Sequence, residues 1–148
     1  MFGLLGGCSV CRYDGKSIIR HALGEKDYYS CNAILEDKQR NLWFGGCGIT
    51  RYDGNTYAHY PLTDSGCCAV NCMLQDSTGD IWVGTHKGLY KYNGSKYITY
   101  SAPDELDDNN VNYILKDNKG NIWFADEKGV SCYNGSSFKK YTFTYPQQ

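Results

Sequence analysis

Three features of the sequence recur about every 40 residues, a spacing typical of repeat architectures. The first is a tryptophan, found at Trp43, Trp82 and Trp123. The second is an aspartate six residues before each tryptophan, found at Asp37, Asp76 and Asp117. The third is a triplet of Tyr, then Asp or Asn, then Gly, which begins at Tyr13, Tyr52, Tyr92 and Tyr133. Three markers with one shared period indicate that the chain folds as successive copies of one structural unit.

Each copy divides into four short segments separated by turn residues, and no stretch has the period of an amphipathic helix. In the last copy the segments are 112–116, 121–125, 129–133 and 138–143. Apolar and aromatic residues alternate along the third and fourth segments, as in half-buried strands. Asn134-Gly135 predicts a two-residue primed hairpin turn, in which both residues have positive φ. Four strands in each unit of about 40 residues predict an all-β fold of antiparallel β-propeller blades.

The repeats predict a single β-propeller segment over residues 1–148. Complete blades are expected at 32–60, 71–100 and 111–143, and a partial blade at 1–21. The first blade is called partial because Leu5–Gly15 aligns without gaps with Phe44–Gly54, so the chain starts inside a second strand.

Three complete blades and one partial blade are few for a ring of about 4–8 blades. Two interpretations remain open. The chain is either part of a longer array, or a homo-oligomer in which identical chains complete the ring. Two chains would supply eight blades, and open strand edges favour such assembly.

The charge distribution excludes several kinds of partner. Lys and Arg total 15 against 16 Asp and Glu, and both signs are scattered along the chain. Nucleic-acid binding would need a basic stripe, so no nucleic-acid partner is expected. No apolar run reaches the roughly 18 residues of a membrane span, so no membrane contact by this segment is expected. The opening Met1–Cys8 faintly resembles a lipoprotein cleavage site, but it lacks a basic start and an apolar region, so no signal peptide is predicted.

The segment Asp76–Tyr92 carries the pattern Asp-x-x-Gly-x-Ile-Trp-x-Gly-Thr-x-x-Gly-Leu-x-x-Tyr. This pattern resembles the two-component regulator propeller repeat. The last repeat departs from it at Ala125-Asp126, and the second has Arg40 in place of the turn glycine. The resemblance implies a sensory ectodomain of a bacterial hybrid two-component receptor, which detects oligosaccharides in the periplasm and passes a signal to other parts of the receptor. A periplasmic or extracellular location rests on this resemblance alone.

The repeated tryptophans and aspartates each have a structural and a functional interpretation. The tryptophans are expected to pack between blades, rather than to form a platform for sugars. The aspartates are expected to accept backbone hydrogen bonds in turns, rather than to act in catalysis, since every blade carries one.

The eight cysteines do not form a recognisable framework. They are Cys8, Cys11, Cys31, Cys47, Cys67, Cys68, Cys72 and Cys132. Buried free thiols are the expectation, with disulfides and a zinc site as the alternatives. The Cys8-x-x-Cys11 pair is expected in a strand, where no helix N-terminus lowers a thiol pKa. No metal site and no cofactor are predicted.

Loops that join blades, and loops that join second to third strands, emerge on one face of a propeller. The interblade loops 22–30, 61–69 and 101–110 vary most between repeats, which suits recognition. The predicted ligand-binding residues in these two kinds of loop are Tyr28, Tyr29, His86, Lys87, Asp107, Asp126 and Glu127. Aromatic faces with carboxylates would suit a small-molecule or glycan ligand, and the alternative is ordinary surface-loop chemistry.

Three functions remain open on the sequence. The first is a non-catalytic module that senses or binds a ligand, possibly an oligosaccharide. The second is an oligomeric structural or protein-interaction propeller. The third is a metal-dependent lyase resembling the streptogramin-cleaving propellers, for which His86 and Glu127 form the only candidate pair. The first is the prediction, and no catalytic residue is assigned.

Overall fold

The computed structural model describes residues 2–5, 9–22, 31–62 and 68–143. These residues contain strands and no helix. The strands are β1 (Phe2–Leu5), β2 (Ser9–Tyr13), β3 (Ile18–Ala22), β4 (Ala33–Glu36), β5 (Leu42–Gly46), β6 (Gly48–Tyr52), β7 (Tyr57–Tyr60), β8 (Val70–Gln75), β9 (Ile81–Thr85), β10 (Gly88–Tyr92), β11 (Tyr97–Tyr100), β12 (Tyr113–Lys116), β13 (Ile122–Ala125), β14 (Gly129–Tyr133) and β15 (Phe138–Thr142).

The strands form four separate antiparallel sheets in chain order. The first sheet pairs β1 with β2 and β2 with β3. The other three sheets have four strands each, in the orders β4-β5-β6-β7, β8-β9-β10-β11 and β12-β13-β14-β15. The predicted all-β fold with four-stranded antiparallel blades is therefore confirmed. None of the described residues lies in a helix that could cross a membrane.

The chain divides into two compact units, Met1–Val70 and Asn71–Gln148. In the first unit the buried core includes Val10, Cys31 and Phe44. In the second unit the core residues are Trp82, Leu89, Leu106, Val111, Ile122 and Phe124. The second core includes residues of both of its sheets, so each sheet is stabilised by burial against the other.

One hydrogen-bonded frame recurs in the three four-stranded sheets. The indole Nε1 donates to the aspartate Oδ2 over 2.8 Å in the Trp43–Asp37 and Trp82–Asp76 pairs, and over 2.9 Å in the Trp123–Asp117 pair. The other carboxylate oxygen accepts backbone N–H groups of the turn, as at Asp37 with Gln39 and Asn41. The predicted turn role of the aspartate is therefore confirmed, because one carboxylate both closes the turn and fixes the indole.

Each tryptophan ring is also paired with a tyrosine from the fourth strand of its own sheet. The ring centroids are 5.8 Å apart for Trp43 and Tyr60, 5.5 Å for Trp82 and Tyr100, and 5.7 Å for Trp123 and Tyr141. Offset aromatic pairs at this distance are favourable beyond the area they bury. The frame of each sheet therefore joins its first turn to its last strand.

The hairpin between the third and fourth strands is confirmed, but its predicted two-residue turn is wrong. In the last sheet Tyr133 pairs with Phe138, so four residues connect the strands. Gly135 has φ 98°, whereas Asn134 is not at positive φ. The Asn134 Oδ1 instead accepts the backbone N–H groups of Ser136 and Ser137. The Asn-Gly pair is thus explained by an asparagine that caps a wider turn.

The cysteines do not all follow the expectation of buried free thiols. Cys11, Cys72 and Cys132 are free, and burial raises the pKa of Cys72 to about 12. Cys47, however, is disulfide-bonded, which corrects the expectation at that position. Cys8 and Cys67 lie outside the described residues. Within the described part of the chain, no three His, Cys, Asp or Glu side chains are grouped so that they could hold a metal ion.

Candidate functional site

Three loops meet at one end of the two sheets in the second unit. They are the 101–110 connection between β11 and β12, the His86-Lys87 turn between β9 and β10, and the 126–128 turn between β13 and β14. The Val111 N–H, which follows the first loop, donates to the Thr85 carbonyl over 2.9 Å. The Asp108 N–H donates to the Asp126 Oδ2 over 3.1 Å. The long connection is therefore attached to both turns.

Asp126 organises the last of these turns. Its Oδ1 accepts the N–H groups of Lys128 and Gly129, each over 2.8 Å. Its Oδ2 accepts the Asp108 N–H from the long connection. With three backbone donors on one carboxylate, Asp126 positions the loops.

Asp107 is fixed by the last strand. Its Oδ2 accepts the Thr142 hydroxyl over 3.1 Å, and its Oδ1 lies 3.5 Å from the Lys140 Nζ. Lys140 also donates to the Pro103 carbonyl. A Cβ at Gly129 would lie 2.8 Å from the Asp107 Oδ2, so glycine at this position leaves room for the carboxylate.

The half-buried Asp108 and the exposed Lys128 form an ion pair across the two loops. Their Oδ2 and Nζ atoms are 2.9 Å apart. The hydrogen bond from Lys128 lowers the pKa of Asp108, and the same bond raises the pKa of Lys128. Both side chains are therefore charged at neutral pH.

Glu127, His86 and Lys87 are among the exposed residues at this end. The Glu127 Oε1 accepts a long hydrogen bond of 3.4 Å from the Asn110 Nδ2. The His86-Lys87 turn is held from below by the buried Thr85, whose hydroxyl accepts the Lys87 N–H over 3.0 Å and donates to the Gly88 carbonyl over 2.8 Å. Backbone and buried groups thus fix the turn, and the two side chains at its tip are exposed.

The structure groups the predicted residues in part. Asp107, Asp126 and Glu127 lie in the loops at this end, and each bonds to another element of it. His86 and Lys87 lie on the neighbouring turn at the same end. Tyr28 and Tyr29 lie outside the described residues.

Further residues of the network include Asp108, Asn110, Lys128 and Lys140. Asp108 and Asn110 lie in the 101–110 loop, which was expected to take part in recognition because it varies between repeats. Neither residue was predicted to bind a ligand. Lys140 had no such signal, because it lies in strand β15 and reaches the loop only through the fold.

The side chains at this end of the sheets could form hydrogen bonds with a polar ligand. Carboxylate and amide oxygens accept from hydroxyl groups, while Lys87 and His86 supply donors. Fixed backbones beneath exposed polar tips reduce the ordering cost of binding.

Comparison with protein families finds a match over two segments of the chain. Residues 65–87 and 105–128 match the sequence model described as the two component regulator propeller. These two segments, about a third of the chain, are similar to the two-component regulator propeller repeat. The first matched segment ends within the His86-Lys87 turn, and the second includes residues 105–110 of the long connection and the 126–128 turn. No curated protein is significantly similar to the chain in sequence.

Solved structures share the fold of these propeller repeats. The extracellular domain of a putative hybrid two component system from B. thetaiotaomicron matches with a TM-score of 0.72 at 19% identity, covering 96% of this chain and 22% of that one. The extracellular domain of a putative one component system from the same organism has a TM-score of 0.70 at 21% identity, covering 84% and 19%. Virginiamycin B lyase from Staphylococcus aureus has a TM-score of 0.76 at 16% identity, covering 95% and 50%. The chain thus spans between a fifth and a half of these proteins.

Proposed function

We propose that this chain is a non-catalytic ligand-binding module of a bacterial receptor, with an oligosaccharide as its class of ligand. The observation that carries the proposal is the loop network at one end of the second unit. It holds exposed polar side chains on a backbone that is fixed by Asp107, Asp126 and Thr85. Such a surface can bind hydroxyl-rich ligands without first ordering its own loops.

The chemistry of the exposed groups favours a sugar over an apolar ligand. Glu127 can accept hydrogen bonds from vicinal hydroxyls, and Lys87 can donate to ring or glycosidic oxygens. Neither side chain is buried, so a ligand would replace water rather than protein contacts. Charged groups make hydrogen bonds that contribute roughly 1.5–3 kcal/mol when they are well formed.

The state of the carboxylates supports binding rather than catalysis. A general acid or base works best with a pKa near the working pH. The hydrogen bond from Lys128 instead lowers the pKa of Asp108 further from neutrality. Asp126 accepts three backbone N–H groups. Asp108 is therefore suited to stay ionised, and Asp126 to hold the loops in place.

The comparisons support a location outside the cytoplasm and a role in signalling. Two of the similar structures are described as extracellular domains of putative one- or two-component systems. In our proposal the chain is likewise periplasmic or extracellular, and a longer assembly transmits the binding signal.

Calorimetry against a panel of oligosaccharides tests the proposal. We expect at least one glycan to bind, and expect Lys87→Ala and Glu127→Gln each to weaken binding by about tenfold, the effect of losing one good hydrogen bond. Lys96→Ala is the matched control, because Lys96 is also exposed but lies in the turn at the opposite end of the same sheet. Glycan binding that all three variants leave unchanged would place the site elsewhere, and no binding at millimolar concentration would contradict the glycan class.

The likeness to virginiamycin B lyase favours a second candidate, a metal-dependent lyase that uses His86 and Glu127. That likeness is in the fold, at 16% identity. Incubation with a streptogramin B antibiotic and a divalent cation, followed by mass spectrometry, distinguishes the two candidates. Product formation abolished by His86→Ala would replace the binding proposal with the lyase.

A further inference from the structure

The last hairpin of each sheet has the same turn, built on one side chain that accepts backbone N–H groups. That side chain is a carboxylate in the first two sheets and an amide in the other two, at Asp14, Asp53, Asn93 and Asn134. Each is followed by a glycine with φ between 93° and 102°. The same turn is therefore formed by aspartate at two positions and by asparagine at two others.

The aspartate turns favour a negative charge. The Asp53 Oδ1 accepts the N–H groups of Asn55 and Thr56 over 2.9 and 2.8 Å, and its Oδ2 accepts the Thr56 hydroxyl over 2.9 Å. Asp14 accepts the corresponding three hydrogen bonds over 2.8–3.1 Å. The backbone N–H groups of Thr56 and Asn55 lower the pKa of Asp53 to about 2, because they stabilise its ionised form.

The asparagine turns present their side-chain amides to water. The Asn93 Oδ1 accepts two backbone N–H groups of its turn over 3.1 and 3.0 Å, and the Asn134 Oδ1 accepts two over 3.0 and 2.9 Å. Both asparagines and the glycines that follow them are exposed. A Cβ added to Gly94 or Gly135 would meet no other atom within 4 Å. Neither turn is therefore crowded around its glycine.

An asparagine followed by glycine can react with its own backbone. The glycine nitrogen loses its proton and attacks the side-chain Cγ, a C–N bond forms, and the amide nitrogen leaves as ammonia. Water then opens the resulting succinimide ring, which restores the peptide bond and leaves a carboxylate. In the first step negative charge develops on Oδ1, and fixed donors aimed at such an atom lower the barrier.

Each asparagine turn directs two backbone donors at that oxygen. We propose that Asn93 and Asn134 are deamidation sites, at which the folded chain converts the amide to a carboxylate and keeps the turn. The products resemble the turns that Asp14 and Asp53 already form. Each conversion adds one negative charge to an exposed turn.

The two products differ in one hydrogen bond. Ser137 follows Asn134 by three residues, as Thr56 follows Asp53, and its hydroxyl lies 3.4 Å from the Asn134 Oδ1. A carboxylate formed at Asn134 offers a second oxygen to that hydroxyl, which completes the set of bonds seen at Asp53. Lys96 takes this position after Asn93 and has no hydroxyl. Conversion at Asn134 should therefore stabilise its turn more.

The fold also favours one direction of ring opening. Opening the succinimide at its other carbonyl gives isoaspartate, which adds a carbon to the backbone between two paired strands. Tyr92 pairs with Tyr97, and Tyr133 pairs with Phe138, on either side of these turns. A longer backbone would disturb that register and move the acceptor away from its donors. We therefore expect a larger share of aspartate from the folded chain than from the denatured chain.

Peptide mapping by mass spectrometry tests the proposal on the full 148-residue chain, incubated at neutral pH either folded or in urea. We expect Asn93 and Asn134 to convert at least as fast in the folded chain, since unfolding removes the donors to Oδ1. Asn118 is the internal control, because it is also exposed in a turn but is followed by Lys119, whose side chain hinders the attacking nitrogen. Asn118 should stay intact.

Three results of the mapping would overturn the proposal. They are conversion in urea with none in the folded chain, isoaspartate as the main product of the folded chain, and equal conversion at Asn118.

Variants that carry the product test whether the turn is kept. Asn134→Asp should raise the midpoint of thermal unfolding at neutral pH more than Asn93→Asp does. The double variant should co-elute on ion exchange with wild-type chain that has converted at both sites. A double variant with a lower midpoint than the wild type would contradict the proposal, because the turns would then not accept the carboxylates.

Discussion

The β8–β11 and β12–β15 sheets are built from the same repeat, yet they bury it differently. Both have an aspartate that holds an indole at 2.8–2.9 Å and a tyrosine stacked on that indole. Trp82 is nevertheless fully buried, whereas Trp123 is half-buried. The comparison shows that the hydrogen-bonded frame forms within each sheet, whereas the hydrophobic stabilisation depends on the neighbouring sheet.

The largest expected effect on stability comes from removing the fully buried tryptophan, Trp82. Trp82→Ala should lower the free energy of unfolding by about 3–5 kcal/mol, because it leaves a cavity among four aromatic rings of the core. Trp123→Ala should lower the free energy of unfolding clearly less, since the Trp123 ring is half-buried. Urea unfolding measures both. Equal losses of unfolding free energy would mean that packing against a neighbouring sheet does not stabilise Trp82 more than Trp123.

The buried aspartate should show the next largest effect. Asp76 accepts hydrogen bonds from Trp82, Thr78 and the Asp80 N–H, and Lys91 lies 3.6 Å away. Asp76→Ala should cost about 1.5–3 kcal/mol, because it leaves buried donors unsatisfied. Asp117→Ala serves as the comparison, since its sheet has Cys132 where Lys91 lies. If urea unfolding showed a smaller loss of unfolding free energy for Asp76→Ala than for Asp117→Ala, burial would not explain the difference between the two sheets.

A third pair of variants exchanges the residues that distinguish the two sheets. Gly84→Ala should destabilise the chain by about 1–3 kcal/mol, because its Cβ would lie 2.5 Å from the Cys72 Sγ as well as close to Val111. Ala125→Gly should cost only about 0.5–1 kcal/mol, the entropic penalty of glycine in a strand. Thermal unfolding reports both changes. A neutral Gly84→Ala would show that the core can shift to accept the methyl group.

The smallest effect is a pH dependence of stability at acid pH. Hydrogen bonds from Trp123 and Asn121 lower the pKa of Asp117 to about 2. A carboxyl whose pKa is depressed on folding contributes stability that is fully present above the unfolded value of about 3.9 and is lost as the pH falls through the folded value. The urea midpoint should therefore fall between pH 4 and pH 2, and it should fall less steeply in Asp117→Asn. If the urea midpoint of Asp117→Asn changed with pH as steeply as that of the wild type, folding would not lower the pKa of Asp117.

The spacing of the repeat predicts the hydrogen-bonded frame of each sheet, but it does not predict which sheets are packed against a neighbour. Asp76 and Trp82 could be assigned to turn and core because their spacing repeats, and spacing determines which strands pair within a blade. Leu74 and Leu115 occupy the same repeat position, so no pattern could predict that one is packed and the other 56% exposed. The disulfide at Cys47 could not be predicted from the sequence either, because the spacing of the cysteines matches no recognisable disulfide framework.

The candidate site could be located but not resolved from the sequence. Loop variability indicated the 101–110 connection and with it Asp107. The pairing of Lys140 with Asp107 depends on how strand β15 passes the loop, which a one-dimensional pattern does not contain. Asp126 accepts three backbone N–H groups, which gives it a structural role, and its predicted contact with a ligand stays a prediction. Whether Glu127, His86 and Lys87 bind a ligand stays a prediction.

Hydrogen exchange followed by mass spectrometry tests most directly whether the stability of a sheet depends on the sheet that packs against it. Strands β8 and β12 occupy the same edge position in their sheets, so each is a control for the other. We expect the amides of β12 to exchange faster than those of β8, because Tyr113 and Leu115 of β12 are 72% and 56% exposed. Equal exchange in the two strands would contradict the account, because the hydrogen-bonded frame alone would then stabilise both sheets.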